Sequence, residues 1–529
     1  MVRYANFDPG GQTIEPASTD EFGVLVQFRP RWSIYLESEA DGEFVVLAEL
    51  SKWQDHGKPF PGLGTSEDAP RLYFNINLSS NNDILVENYV VPGERSKAWV
   101  FGFDLSALKP RLEPYEVTFF AATELGEWNF TATSELWYLP EKKGGSVSRI
   151  DNWKGGIHFR NSKTDNRFEP FLPYGFYGSH DRFLGEANSL EAIQAYSDLG
   201  LNAMVPLTPI GSSREEFEYM DKIDLKFMYD LRSIYKNLAE VRDQVTAIKD
   251  FESLYAYWGS DEPDGWQDPF DATVLSRNLI RTIDPYHPVS VTLNCQNYYF
   301  KEYTAGADFV MEDVYPIGIN STFSKWGTEC NVTHGDCGCD NCQGNVQDVS
   351  SRLDDLARYE EWLGLWPKTK FHNPQSFHGE NYWMRSPTPE EEVAMNALGF
   401  NHHAKGIVSW VWPVESADKG LVEIHGELAK VVTANPVRDF LVLGDVQKGD
   451  ASLEIVDVGY WVLGGKMMVI VVNGGYDDLD ERIAISLGNA NPANLDESLW
   501  GKTAWSVLGG KLVADGMKGM ATSIVVLDL

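Results

Sequence analysis

The sequence predicts an α/β protein, a (β/α)8 barrel with N-terminal and C-terminal β-sandwich domains, and three observations lead there. Its 529 residues exceed what one ordinary hydrophobic core supports. Between about residues 150 and 440, short apolar runs alternate with amphipathic helical segments, the signature of parallel βα units. On either side the helical period disappears and the pattern becomes apolar/polar alternation broken by Pro, Gly and Asn.

Residues 1–148 contain the strand-like runs FGVLVQF, WSIYLES, EFVVLAEL, RLYFNINL, AWVFGFDL and YEVTFFAA, which predict a β-sandwich. The polar, glycine-rich stretch from Glu141 to Val147 reads as the linker out of it. Residues 149–441 supply eight predicted barrel strands: Pro173 to Tyr177, Asn202 to Thr208, Lys226 to Leu231, Leu254 to Ser260, Val289 to Asn294, Asp308 to Asp313, Lys370 to Gln375 and Gly406 to Trp412. Helical stretches such as SLEAIQAYSDLG, NLAEVRDQVTAIKD and ATVLSRNLIRTID lie between them, and eight such units close a barrel. From near Val437 the chain is expected to return to β patterning, so that 442–529 form a second small sandwich.

Composition narrows the function. Hydrophobic residues make up 43%, and 78 acidic against 44 basic residues leave a charge of −34, which repels nucleic acid and anionic membrane. No apolar stretch approaches the roughly 20 residues of a membrane span. Phosphate-cradling loops, dinucleotide fingerprints and serine nucleophile elbows are missing from the sequence, and no cofactor or metal is expected.

Four of the five cysteines, Cys330, Cys337, Cys339 and Cys342, fall within thirteen residues. Two short-range disulfides are the favoured reading; a zinc site using this spacing with His334 is the alternative. Asn77, Asn129, Asn320 and Asn331 each open a glycosylation sequon, the last inside the cysteine loop. Together they point to an oxidising compartment, hence to a secreted, extracellular protein from which a signal peptide has been removed and to which a starting Met has been added. Cys295 is expected to be a buried small hydrophobe.

In a (β/α)8 barrel the chemistry sits at the carboxyl ends of the strands. The fourth predicted strand ends Tyr257-Trp-Gly-Ser-Asp261-Glu262-Pro263, which places two carboxylates at the mouth. Burial beside Trp258 and repulsion between neighbours raise carboxyl pKa values, as a proton donor at neutral pH requires. Cleaving a glycosidic bond takes such a donor and a second carboxylate. The sixth strand offers that partner in Asp313, within Met311-Glu312-Asp313-Val-Tyr315. Capping of a helix or pairing with an arginine are the structural alternatives for these groups.

This layout resembles the clan A glycoside hydrolases and their relatives over about residues 150 to 440. The resemblance implies an O-glycosyl hydrolase acting on a carbohydrate substrate, with Glu262 as general acid. In clan A an Asn precedes the acid and a Glu after strand seven is the nucleophile. Here Asp261 precedes Glu262, and strand seven offers His372, Asn373 and Gln375. The Asp-Glu pair is similar to that of substrate-assisted hexosaminidases, where the Asp orients a 2-acetamido group. A third arrangement, similar to that of α-galactosidase-like enzymes, pairs a strand-four carboxylate with Asp313.

Tyr174, Tyr177, His180, Trp258, Asn294, Tyr315, His372, Gln375, Trp410, Trp412 and Glu415 complete the candidate substrate-binding set, since sugar sites combine indole floors with short polar side chains. The alternation rule puts Trp410 and Trp412 on one face. A cysteine loop walling the cleft would favour chain ends, hence exo action. A non-catalytic carbohydrate-binding barrel and a polysaccharide lyase using Arg182, Arg232 or Arg385 are the competing readings. The sequence is silent on the oligomeric state.

Overall fold

The computed structural model describes residues 10–60, 71–93, 97–126, 128–322, 342–415, 418–488 and 490–529. Eight parallel strands close a barrel: Tyr174–Gly178, Ala203–Pro206, Lys226–Asp230, Leu254–Asp261, Val289–Leu293, Phe309–Asp313, Thr369–Asn373 and Ala404–Trp412. These are called barrel strands one to eight below. Their inward side chains, among them Tyr177, Met228, Ala256, Trp258, Phe309, Met311 and Phe371, form one apolar cluster. The outward ones join the helix layer in the largest core of the molecule.

A three-stranded antiparallel sheet, Val147–Ile150, Ile157–Arg160 and Glu169–Phe171, precedes the barrel. Its Ile150, Ile157, Phe159 and Phe171 pack into the barrel interior cluster. It therefore floors the amino-terminal end, and the carboxyl-terminal mouth is left as the working face.

Before this floor, two four-stranded sheets face each other. One is ordered Lys58–Pro59, Ser18–Pro30, Asp41–Trp53, Ala98–Asp104, and the other Ile84–Val90, Leu72–Leu78, Tyr115–Thr123, Asn129–Leu136. Their inner faces meet in a core that includes Val24, Val26, Phe44, Leu72, Phe74 and Phe119. After the barrel, five- and four-stranded sheets spanning residues 447–528 enclose a further core around Val469, Ile485 and Val525.

The chain does not turn to β structure near Val437. Val437–Leu443 is one more helix, seating Phe440 and Leu441 in the main core. The helix Pro389–Asn401 is buried from Glu391 to its end because the C-terminal sandwich covers its outer side. A helix covered on both sides needs no polar stripe, and beyond the three glutamates of its first turn only Asn396 and Asn401 are polar. Thr388 and Glu391 close a reciprocal capping box at its start.

Candidate active site

The site is built from the ends of barrel strands one, three, four, five, six, seven and eight. On strand four the pairing with strand five shifts between Trp258 and Ser260, adding one residue. Strict alternation from the inward Trp258 would turn Ser260 into the mouth and Asp261 away from it. The shift reverses this, and Asp261 stands beside Thr292 in register. Glu262 follows with φ of 46°, a left-handed conformation that costs a non-glycine residue about 1 kcal/mol or more. Its amide donates to the Thr292 carbonyl at 3.0 Å. Asp264 fastens this corner from below, accepting from the amides of Asn294 at 3.1 Å and Cys295 at 2.8 Å. The strap brings Asn294 to Glu262, and Asn294 Nδ2 donates to Glu262 Oε1 at 2.8 Å.

Asp313 faces these groups from strand six, where Phe309, Met311 and Asp313 take the inward positions. Asn373 Nδ2 donates to Asp313 Oδ1 and to the Tyr177 hydroxyl oxygen, each at 2.9 Å. The Tyr315 hydroxyl is a further donor to Asp313. Arg232 Nη1 lies 3.6 Å from Asp261 Oδ2, and its Nε lies 3.2 Å from Asp230 Oδ2. The guanidinium sits over Trp258 at 4.9 Å and Trp410 at 5.7 Å from the ring centroids. Tyr177 packs on both indoles, at 4.6 Å and 5.2 Å.

The electrostatics follow from this crowding. Asp261 is held well above the usual carboxylate range by burial, then by the charges of Glu262 and Asp313, against the opposing pull of Arg232. Asp313 is likewise raised by burial and by Glu262, although its Asn373 and Tyr315 donors favour the anion. Burial lifts Asp230 to about 6 in spite of Arg232. Carboxyls that oppose one another's ionisation share protons at neutral pH, and their titration belongs to the group as a whole.

The predicted residues divide. Glu262, Asp261, Asp313, Tyr177, Trp258, Asn294, Tyr315 and Trp410 come together at the mouth. Tyr174 does not: it lies three positions from the inward Tyr177, hence on the other face, and its hydroxyl is 3.0 Å from His425 Nδ1 in the helix layer. His372 also faces outward, paired with Glu312 at 2.6 Å and fully buried. The inward neighbour on strand seven is Asn373. Gln375 clamps backbone, accepting from the Ile317 amide and donating to the carbonyls of Ile317 and Phe377.

Trp412 leaves the site as well. Pairing between strands one and eight shifts between Phe176 and Gly178, so Trp412 no longer shares a face with Trp410. It packs on Phe176, Phe183 and Tyr196 instead. His180 and Glu415 lie on the exposed rim, His180 beside Asp181 and Glu415 ion-paired with Arg182 at 2.9 Å.

Asp264 is not singled out by the sequence, Arg232 enters it only through the lyase reading, and Asn373 only as one of the strand-seven set. The parity of Phe371 and Asn373 on strand seven was the available signal for Asn373. Nothing local announces the long-range partners of Arg232 and Asp264.

Cys330, Cys337, Cys339 and Asn331 lie outside the described residues. Cys342 is buried, and Cys295 is a free, buried thiol. Asn129 and Asn320 are exposed, whereas Asn77 is half-buried and its Oδ1 lies inside without a partner. Among the described residues no group of three or more His, Cys, Asp or Glu has metal-binding geometry, and no helix is long and apolar enough to cross a membrane.

No family model and no curated protein matches the chain. Solved structures resemble it at low identity. Ruminococcus gnavus beta-glucuronidase is 9% identical over 74% of this chain and 62% of its own, with a TM-score of 0.35. The glycoside hydrolase family 30 subfamily 8 xylanase Xyn30A from Clostridium acetobutylicum is 11% identical over 68% and 97%, with a TM-score of 0.42. An Anoxybacillus alpha-amylase is 11% identical over 67% and 98%, with a TM-score of 0.44. This chain thus spans less than two thirds of the glucuronidase's length. Likeness at this level concerns the arrangement of the chain and extends no further.

Proposed function

We propose that this protein is a glycoside hydrolase whose reaction runs between the carboxyls of barrel strands four and six. The observation that carries the reading is the mutual charge coupling of Asp261, Glu262 and Asp313 at a mouth walled by Tyr177, Trp258 and Trp410. Such a group retains a proton at neutral pH for a poor leaving group and still offers an anion to an oxocarbenium-like centre. The indole faces suit the C–H face of a sugar ring.

In this mechanism Glu262 gives its proton to the departing glycosidic oxygen. Asn294 orients its carboxyl through Oε1. Asp313, steadied by Asn373 and Tyr315, serves as the anion that stabilises or attacks the anomeric carbon. Arg232 partly offsets the burial and repulsion that raise Asp261, and the Asp261 carboxyl beside them stabilises developing positive charge or orients a 2-acetamido group. The ion-paired rim residues Arg182 and Glu415 suit action at chain ends. Secretion, glycosylation at Asn129 and Asn320, and disulfides within the cysteine loop belong to the same proposal.

A second reading exchanges two roles, with Asp261 as the acid; the strong upward shift of its carboxyl favours it. One experiment separates them: hydrolysis of aryl glycosides and natural oligosaccharides by wild type, Glu262→Gln, Asp261→Asn and Asp313→Asn. An acid variant loses about 10²-fold or more on poor leaving groups and far less on activated aryl groups. That pattern is expected of Glu262→Gln. Its appearance in Asp261→Asn alone transfers the role. Hydrolysis at wild-type rates by all three variants refutes the site, and cleavage confined to N-acetylhexosaminides assigns substrate assistance.

A further inference from the structure

A cavity of about 590 Å³ lies at the opposite end of the barrel from the mouth, between its floor and the N-terminal sandwich. Arg29 and Val45 line it from the sandwich, Trp153 and Trp366 from loops, and Lys368 and Lys405 from the entries of strands seven and eight. Four carboxylates also reach it, and each already has a cation. Asp151 pairs with Arg31 at 3.1 Å, Asp308 with Arg277 at 2.5 Å, Glu360 with Lys370 at 2.6 Å, and Asp445 with Lys154.

Three cations are left over. Lys405 Nζ donates to the carbonyls of Leu441 at 2.7 Å and Gly444 at 2.8 Å, and Lys368 Nζ donates to that of Thr304. Arg29 has neither a side-chain hydrogen bond nor an ion pair among the described residues. Its guanidinium lies 5.4 Å from the centroid of Trp366. The Trp366 indole is 6% exposed, and its Nε1 is a buried donor with no partner. In a chain of charge −34, a cavity whose carboxylates are all neutralised, with cations and a donor to spare, is an exception.

Burial, foremost, brings Arg29 down to about 10 and Lys368 and Lys405 each to about 8, as expected of cations held away from water without a full counter-charge. A desolvated guanidinium is stabilised most by a planar oxyanion that accepts two of its parallel N–H groups.

We infer that this cavity is a binding site for an oxyanion, either inorganic or carried as the carboxylate of a sugar-sized molecule, with Arg29 as its fork and Trp366 Nε1 as a second donor. The site is separate from the mouth, so it stands or falls independently of the glycosidase reading.

The test titrates the full chain with sulfate, phosphate, glucuronate and uncharged glucose, following heat of binding and thermal midpoint, for wild type, Arg29→Met, Arg29→Lys and Trp366→Phe. Wild type is expected to bind at least one anion and not glucose. Arg29→Met weakens binding by about tenfold or more, Trp366→Phe by a smaller factor, and Arg29→Lys falls between wild type and Arg29→Met. Preference for glucuronate identifies a sugar acid, and preference for sulfate or phosphate an inorganic or phosphoryl group. Trp366→Phe provides the reading if Arg29→Met does not fold. The inference is overturned if no anion binds, or if affinity is the same in wild type and in every folded variant. Hydrolysis at the mouth is expected to be unchanged in Arg29→Met.

Discussion

Replacing Arg232 by Met tests the electrostatics of the mouth most directly. The guanidinium is 3.6 Å from Asp261, and the two side chains are 26% and 24% exposed. Coulomb's law at that separation gives about 1 kcal/mol in a water-like medium and between 4 and 5 kcal/mol at an effective dielectric near 20. With this much exposure the lower part of the range applies, so about 1 to 2 kcal/mol, or roughly one pKa unit, is expected. The sign is upward, because removing the cation leaves Asp261 facing Glu262 and Asp313 uncompensated. If Asp261 works as an anion, the acidic limb of the kcat/KM profile moves up by about one pH unit in Arg232→Met and largely returns in Arg232→Lys. The assay is initial-rate hydrolysis across pH 3 to 9 on a substrate found by the screen above. Superimposable profiles for wild type and Arg232→Met, or a limb that moves down, would refute the reasoning.

Other consequences follow from the same structure. Asp230, raised from 3.8 to about 6, favours the fold only while protonated; this stability is complete below about pH 3.8 and is lost as pH rises through 6, about 3 kcal/mol at most. Urea unfolding of Asp230→Asn between pH 4 and 7 should lack that slope, and a slope identical to wild type's contradicts the assignment. Burial alone would depress His402, but the hydrogen bonds its ring N–H groups donate to Asp354 and Asp457 carry it up to about 9. Because Asp457 belongs to the C-terminal sandwich, the pair ties that sandwich to the barrel. Its stability is fully present below pH 6.5 and lost as pH rises through 9, so His402→Gln should cost up to about 3 kcal/mol at pH 6 and little at pH 10. An equal cost at both pH values excludes the charge-based account. Gly175→Ala places a methyl 1.8 Å from the Ala203 carbonyl oxygen in the neighbouring strand, a backbone clash expected to abolish soluble folded protein. Recovery of a variant with a wild-type melting curve would show that the strands can part.

The barrel was legible because its signal is local: apolar strands and amphipathic helices write their periods into consecutive residues. The position of Asp261-Glu262 at the end of strand four was legible for the same reason. Alternation also separates Tyr174 from Tyr177, and Asn373 from His372, but by itself it does not say which face of a strand looks into the mouth. The helix Val437–Leu443 was lost because its short apolar face reads equally as strand.

Other features were decided only in three dimensions. The extra residue after Trp258 turns Asp261 inward, and the one between strands one and eight carries Trp412 away. Both are mismatches between two strands, which neither strand's sequence records alone. Asp264 reaching the amides after strand five, Asn373 joining Asp313 to Tyr177, and Arg232 lying over two indoles join residues tens to hundreds of positions apart. The sequence by itself determined which elements form and which strand end carries the acids. The tertiary structure decided which side chains face one another there, because burial, charge coupling and register are properties of neighbours in space.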